Sequence, residues 1–238
     1  MEKIIIDFYD SKYYNAEESF LCERMDFYGS DKGPYNKGAG NYTKLYDHIF
    51  RENRFSVMNV LEIGLGTNNT DVPSNMGTDG KPGASLRGFR DYFPNANIYG
   101  ADIDSRVLFN EDRIETFYVD QLNIKSLQNL KERFDFEFDL ILDDGIHDIC
   151  YDGLKNPASG NLKTLETFID KVKKGGFYII EDVAPWYPEL EFYPGVKDIV
   201  LEIREGKFGN VSYVDVISIP RVKSKSHLRN TQVILIKK

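Results

Sequence analysis

Five apolar runs in the middle of this chain each stop on a glycine turn or on an acid. Val57–Ile63 runs into Gly64, Asn97–Ala101 into Asp102-Ile103-Asp104, and Ile114–Val119 into Asp120. Phe138–Leu142 ends at Asp143-Asp144, and Phe177–Ile180 at Glu181-Asp182. The runs are short and rich in β-branched and aromatic residues, so they read as strands. Helical spacing separates several of them, over Ser85–Tyr92, Ile124–Arg133 and Leu162–Val172. Ser85 is placed to cap the first of these helices. Lys173-Lys174-Gly175-Gly176 reads as the C-terminal signal of the last one. Strands alternating with helices predict an α/β fold with a mainly parallel sheet. Two late runs, Val211–Ile219 and Thr231–Ile236, bring the strand total to seven. Ligands of such sheets bind outside the carboxyl ends of the strands, which is where these acids fall.

The first fifty residues carry turn signals at Asp31-Lys32-Gly33-Pro34 and Gly38-Ala39-Gly40-Asn41, then a helical pattern over Tyr42–Arg51. Residues 1–55 read as an N-terminal helical and loop cover, and residues 56–238 as one core. The polar stretch from Thr67 to Ala84 is long for a connection inside a domain and reads as a functional loop.

Composition excludes several classes. The formal net charge of −8 argues against nucleic acid and anionic membranes, which need clustered cations. No apolar run approaches the ~18–20 residues that span a bilayer, and no signal peptide is visible. Two cysteines make no disulfide framework, so the expected compartment is the cytoplasm. Three histidines and two cysteines are too few for a structural zinc centre. The aromatic-rich N-terminus suits an interface, so a homo-oligomer is an open option.

The chemistry concentrates at the strand ends. Gly64 and Gly66 put two residues without Cβ atoms at the first turn, where the chain can approach a ligand closely. The third glycine of the dinucleotide fingerprint is replaced by Asn69, and Asp102 comes too late for a nicotinamide site. Asp102 is suited to accept two ribose hydroxyls, with Asp104 as its rival. Asp120 and Gln121 are placed to read an adenine. Asp143, Asp144, Glu181 and Asp182 would crowd one crevice and repel each other unless a cation neutralises them. No Lys or Arg lies within those two turns, which favours a hard metal ion such as Mg²⁺. His147, three residues past Asp144, suits a general base. Trp186 and Tyr187, bounded by prolines, suit a loop that closes over an acceptor.

These residues resemble a known family, the class I S-adenosylmethionine-dependent methyltransferases. The nearer likeness is to metal-dependent sugar O-methyltransferases of the macrocin and mycinamicin type. It is carried by Gly29-Ser30-Asp31-Lys32-Gly33, Tyr42-Thr43, Leu61-Glu62-Ile63-Gly64, Gly83-Ala84-Ser85-Leu86-Arg87, Asp102, Asp120-Gln121, Asp143-Asp144-Gly145 with His147, and Glu181-Asp182. The resemblance implies a Rossmann-like, doubly wound sheet with its last strand antiparallel. It implies S-adenosyl-L-methionine near Tyr42, Thr43, Glu62, Gly64, Gly66, Ser85, Asp102, Asp120, Gln121 and Asp143. It implies Mg²⁺ on Asp144, Glu181 and Asp182, with His147 as base and a small carbohydrate-containing acceptor. The residues alone leave room for a nicotinamide-dependent oxidoreductase, a metal-dependent hydrolase or a non-catalytic binding protein.

Overall fold

The structure, a computed structural model, describes residues 5–7, 19–35, 41–73, 75–146, 159–183, 194–220 and 230–238. Its strands are β1 (Ile5–Asp7), β2 (Asn59–Ile63), β3 (Asn97–Asp102), β4 (Asn110–Glu111), β5 (Ile114–Tyr118), β6 (Phe138–Asp143), β7 (Val172–Ile180), β8 (Tyr213–Pro220) and β9 (Asn230–Lys237). Its helices are α1 (Phe20–Tyr28), α2 (Thr43–Phe50), α3 (Ala84–Tyr92), α4 (Ile124–Lys131), α5 (Gly160–Phe168) and α6 (Pro194–Arg204).

Alternation of side chains across the sheet builds two cores. Leu61, Ile63, Ile141, Tyr178 and Ile180 face one side, where α4, α5 and α6 add Leu127, Leu165, Phe168, Ile199 and Ile203. Val60, Leu140, Leu142 and Ile179 face the other, against Leu21 and Met25 of α1, Leu45 and Tyr46 of α2, and Leu86 and Phe89 of α3. Strands buried on both faces read as continuous apolar runs, which is why Leu140-Ile141-Leu142 lacks polar alternation.

The sheet has nine strands in the order β1-β8-β9-β7-β6-β2-β3-β5-β4. The expectation of seven missed two edge strands, the three-residue β1 and the two-residue β4. Both are too short for periodicity to show. β2, β3, β5, β6 and β7 pair in parallel, and β9 runs antiparallel to β7 and β8. The chain moves outward from β2 through β3 and β5, then returns to β6 on the other side of β2. The switch point of the sheet therefore lies between β2 and β6, where an open parallel sheet leaves its crevice.

Two local readings need correction. Lys173-Lys174-Gly175-Gly176 does not close a helix: α5 stops at Phe168, and these residues lie within β7. The register of β7 against β6 shifts between Phe138 and Leu140, and Gly175 takes φ +84 beside it. Ser85 does not cap α3. Gly83 is the N-cap at φ +69, a position whose Cβ would enter the Phe109 ring. Among the described residues, no helix is long and apolar enough to cross a membrane.

Candidate active site

Backbone hydrogen bonds bring the strand ends level. Gly64 N donates to Ala101 O at 2.8 Å, Asp144 N to Ile63 O at 2.8 Å, and Glu181 N to Asp143 O at 3.0 Å. Gly64 stands at φ +95, and a Cβ there would fall inside the backbone of Asp144 and Gly145. The glycine is thus needed for the approach of two protein turns. The first turn and the β6 turn meet without a side chain between them.

A cleft of about 170 Å³ opens at these ends. Ile63, Gly64, Gly66, Asp102, Asp120, Gln121 and Asp144 line it, and Val72, Pro73, Ile103, Leu122 and Ile146 give it apolar walls. Asp102 is buried. Its Oδ2 accepts from Leu65 N and its Oδ1 from Asp104 N, both at 2.8 Å. Burial lifts its carboxyl above the ordinary value, against the pull of those amides. Each oxygen keeps a second lone pair for a ligand hydroxyl. Asp104 points elsewhere: its Oδ2 accepts from Thr67 Oγ1 at 2.6 Å and Asn69 Nδ2 at 2.7 Å, and its Oδ1 from Arg106 Nε at 2.7 Å. Arg106, then Thr67, hold its carboxyl well below the usual carboxylate range. Asp104 is therefore an anchor for the loop that follows β2, and that loop supplies Val72 and Pro73 to the cleft.

Asp120 Oδ1 accepts from Leu122 N at 2.9 Å. The Gln121 amide is committed to protein: Nε2 donates to Asp143 Oδ1 at 2.8 Å and Thr164 Oγ1 at 3.0 Å, and Oε1 accepts from Ile146 N at 2.8 Å. It fixes the turn after β6 from across the crevice. Asp143 is fully buried behind it.

Beside the cleft lies the acidic cluster, and a cation reaches it from outside the two strand-end turns, which themselves hold no Lys or Arg. Lys32 reaches in from the turn after α1. Its Nζ donates to Glu181 Oε2 at 2.7 Å and to Asp144 Oδ2, and stands 3.4 Å from Glu62 Oε1. Only 3% of its side chain is exposed. Burial alone would lower the ammonium, but Asp144, Glu181 and Glu62 outweigh it and hold Lys32 well above the ordinary lysine value. Tyr46 OH donates to Glu181 Oε1, and Tyr42 OH to Asp182 Oδ1. The two tyrosine rings stack at 6.3 Å. Asp182 holds φ +52, a strained left-handed position for a residue with a Cβ. Burial pushes Glu181 well above the carboxylate range and Glu62 up to about 7. Glu62 Oε2 accepts from Ser85 Oγ at 2.6 Å.

Three carboxylates, Glu62, Asp144 and Glu181, thus share one ammonium. Their hard oxygens and excess negative charge suit a further hard cation. As placed, no three acids, histidines or cysteines among the described residues are arranged around a metal position. Thr43 lines neither the cleft nor the cluster; its Oγ1 meets Cys22 Sγ at 3.1 Å. His147, Trp186 and Tyr187 lie outside the described residues. The sequence reading gave no role to Lys32 or Tyr46. Lys32 stood in a stretch read as a turn and as part of the family likeness, where nothing marks a buried ammonium.

Curated relatives of this chain are named as O-methyltransferases. It is 33% identical over 148 residues to 8-demethyl-8-(2-methoxy-alpha-L-rhamnosyl)-tetracenomycin-C 3'-O-methyltransferase of Streptomyces olivaceus, covering 61% of this chain and 33% of that one. It is 32% identical over 147 residues to mycinamicin VI 2''-O-methyltransferase of Micromonospora griseorubida, covering 61% and 32%. The chain is a homologue of sugar O-methyltransferases. The homologue also matches the solved MycE methyltransferase of mycinamycin biosynthesis, crystallised with Mg and SAH. The TM-score is 0.64 at 25% identity, covering 94% of this chain and 56% of that one. An O-methyltransferase from Bacillus cereus in complex with SAH shares the fold at TM-score 0.53 and 16% identity, covering 97% and 96%. The fold of this sugar O-methyltransferase homologue is the Rossmann-like methyltransferase fold. No family model matches the chain. The matched region spans about a third of the length of the curated relatives.

Proposed function

We propose that this chain transfers a methyl group from S-adenosylmethionine to a hydroxyl of a sugar or similar polyol acceptor, assisted by a divalent cation such as Mg²⁺. The observation that carries the reading is the pair of features at the β2/β6 switch point: a cleft with Asp102 at its rim, and an acidic cluster directly beside it. Relatives at 30–33% identity are named for methyl transfer to sugars on natural products, and MycE was crystallised with Mg and SAH.

Asp102 and Asp120 are suited to bind hydroxyl and amine donors of the cofactor, and Val72, Pro73, Ile103 and Leu122 to enclose its flat apolar part. The cofactor supplies the methyl on a sulfonium. Transfer is an in-line displacement, so the chain contributes mainly alignment and exclusion of water. Asp144, Glu181 and Asp182 would hold the cation, which when bound lowers the pKa of an acceptor hydroxyl. His147 takes the hydroxyl proton in this reading, on the strength of its spacing from Asp144. Trp186 and Tyr187 are the residues proposed to meet the acceptor. The net charge of −8 supports a small acceptor over nucleic acid.

The test is calorimetry with S-adenosylhomocysteine and with NADH, followed by methyl transfer to a panel of glycosides and nucleotide-activated sugars. Binding of the first alone, turnover abolished by EDTA, and turnover lost in His147→Ala are expected. Full turnover in EDTA would remove the metal. Binding of NADH in place of the S-adenosyl compound would remove the methyltransferase reading.

A further inference from the structure

Lys32 stands where two of the proposed metal ligands meet. Its ammonium bridges Asp144, at the end of β6, and Glu181, at the end of β7. A divalent cation on the same two carboxylates would face a like charge at contact distance. We propose that Lys32 is the resident counter-ion of this site, and that a metal enters by displacing its ammonium toward Glu62. The inference rests on the metal-assisted reading above.

The means of displacement are present. The backbone around Lys32 is pinned: its N–H donates to Ser30 Oγ at 3.3 Å and its carbonyl accepts from Thr43 N at 3.3 Å. Gly33 packs against Asp26 with no room for a Cβ. The turn therefore stays while the four-carbon stem swings. A receiving group waits within that swing. Glu62 Oε1 is buried and meets the ammonium only as a 3.4 Å ion pair, outside hydrogen-bond geometry. A buried carboxylate oxygen that makes no well-formed hydrogen bond is costly, and a closer approach of the ammonium would offset that cost. A small cavity of about 20 Å³ is lined by both residues, together with Gly64, Ser85 and Asp144. Movement toward Glu62 would satisfy that oxygen and release the Asp144 and Glu181 oxygens together. Without metal the cluster keeps one internal positive charge, and an entering cation must compete with it. Weak, selective loading follows: a monovalent ion gains little over the ammonium it replaces, whereas a divalent ion gains a charge.

The experiment titrates Mn²⁺ into metal-free protein by calorimetry, with neither cofactor nor acceptor present. Lys32→Met is expected to bind Mn²⁺ at least tenfold more tightly than the wild type. Its metal-free melting temperature is expected to fall, and saturating Mn²⁺ to restore it by a larger shift than in the wild type. If Lys32→Met does not fold without metal, Lys32→Gln, which keeps donors for both carboxylates, is titrated in the same way. Folding of either variant that depends on Mn²⁺ also supports the displacement. Equal or weaker Mn²⁺ binding by the variants, with wild-type binding intact, overturns it and leaves the metal-assisted reading standing. No Mn²⁺ binding by any of the proteins overturns both.

Discussion

Replacing Gly64 with alanine tests how the crevice is built. Two costs follow from the structure. The backbone at φ +95 is a conformation that L-residues adopt at about 1–2 kcal/mol. The new Cβ would also fall inside the carbonyl of Asp144, a main-chain atom that cannot rotate away. Overpacking of this kind adds about 1–3 kcal/mol, while a less flexible unfolded chain returns about 0.4–1 kcal/mol. The net expectation is a loss of about 2–4 kcal/mol, or a drop of roughly 5–15 °C in melting temperature for a chain of this size. Gly175→Ala is the internal control. Gly175 has φ +84 but nothing within 4 Å of its Cβ position, so only the dihedral cost of about 1 kcal/mol applies. Both variants would be melted by circular dichroism, and their affinity for S-adenosylhomocysteine measured by calorimetry. Gly64→Ala should also lose most of that affinity, because the Asp144 turn forms a wall of the cleft. Equal destabilisation in the two variants would refute the close approach of the β2 and β6 turns.

Two further outcomes follow from the same geometry. Burial lifts Glu62 from the ordinary 4.5 to about 7, so the folded chain holds that proton more tightly than the unfolded chain. Its contribution is present below about pH 4.5 and is lost as pH rises through 7, up to about 3 kcal/mol at ~1.4 kcal/mol per unit. Chemical denaturation of metal-free protein at several pH values should show this slope, and Glu62→Gln should flatten it; an unchanged slope would place the titration elsewhere. Asp104→Ala removes the anchor of Thr67, Asn69 and Arg106, and should weaken S-adenosylhomocysteine binding about tenfold, the effect of ~1.4 kcal/mol, through the loop carrying Val72 and Pro73. Undiminished affinity would show that the loop needs no such anchor.

The centre of the sheet was legible because its strands are buried on both faces and end abruptly. An apolar run such as Leu140-Ile141-Leu142 followed by two aspartates has few alternatives. Tyr213–Pro220 and Asn230–Lys237 were found within two residues from their alternating pattern. The edges were not legible. Ile5–Asp7 is a three-residue strand whose identity depends on a partner, β8, about 210 residues away. Gly175-Gly176 misled because a shifted strand and a helix terminus ask for the same residues. In the site, the acids announced themselves by position, whereas Lys32 did not. A buried lysine and a solvated one are identical in sequence, and only the fold shows that this one replaces water with three carboxylates. Asp102 and Asp104 were rivals on paper; the hydrogen bonds of Thr67 and Asn69 separate them.

The donors to the acidic cluster lie early in the chain, and its last two acceptors, Glu181 and Asp182, lie late. Lys32, Tyr42 and Tyr46 precede Glu181 and Asp182 by 135 to 149 residues. During synthesis the first three therefore leave the ribosome long before these two acids exist. For that interval both phenols lack these acceptors, and the ammonium has at most Glu62 and Asp144 to meet. Completion of the site is deferred until β7 has been made and paired. Loop closure on this scale is slow compared with local helix formation. A nascent chain arrested before Glu181 would hold most of the cleft residues and the Glu62 and Asp144 partners of Lys32 but none of the bonds to Glu181 and Asp182, so the cluster would be completed late and abruptly during translation.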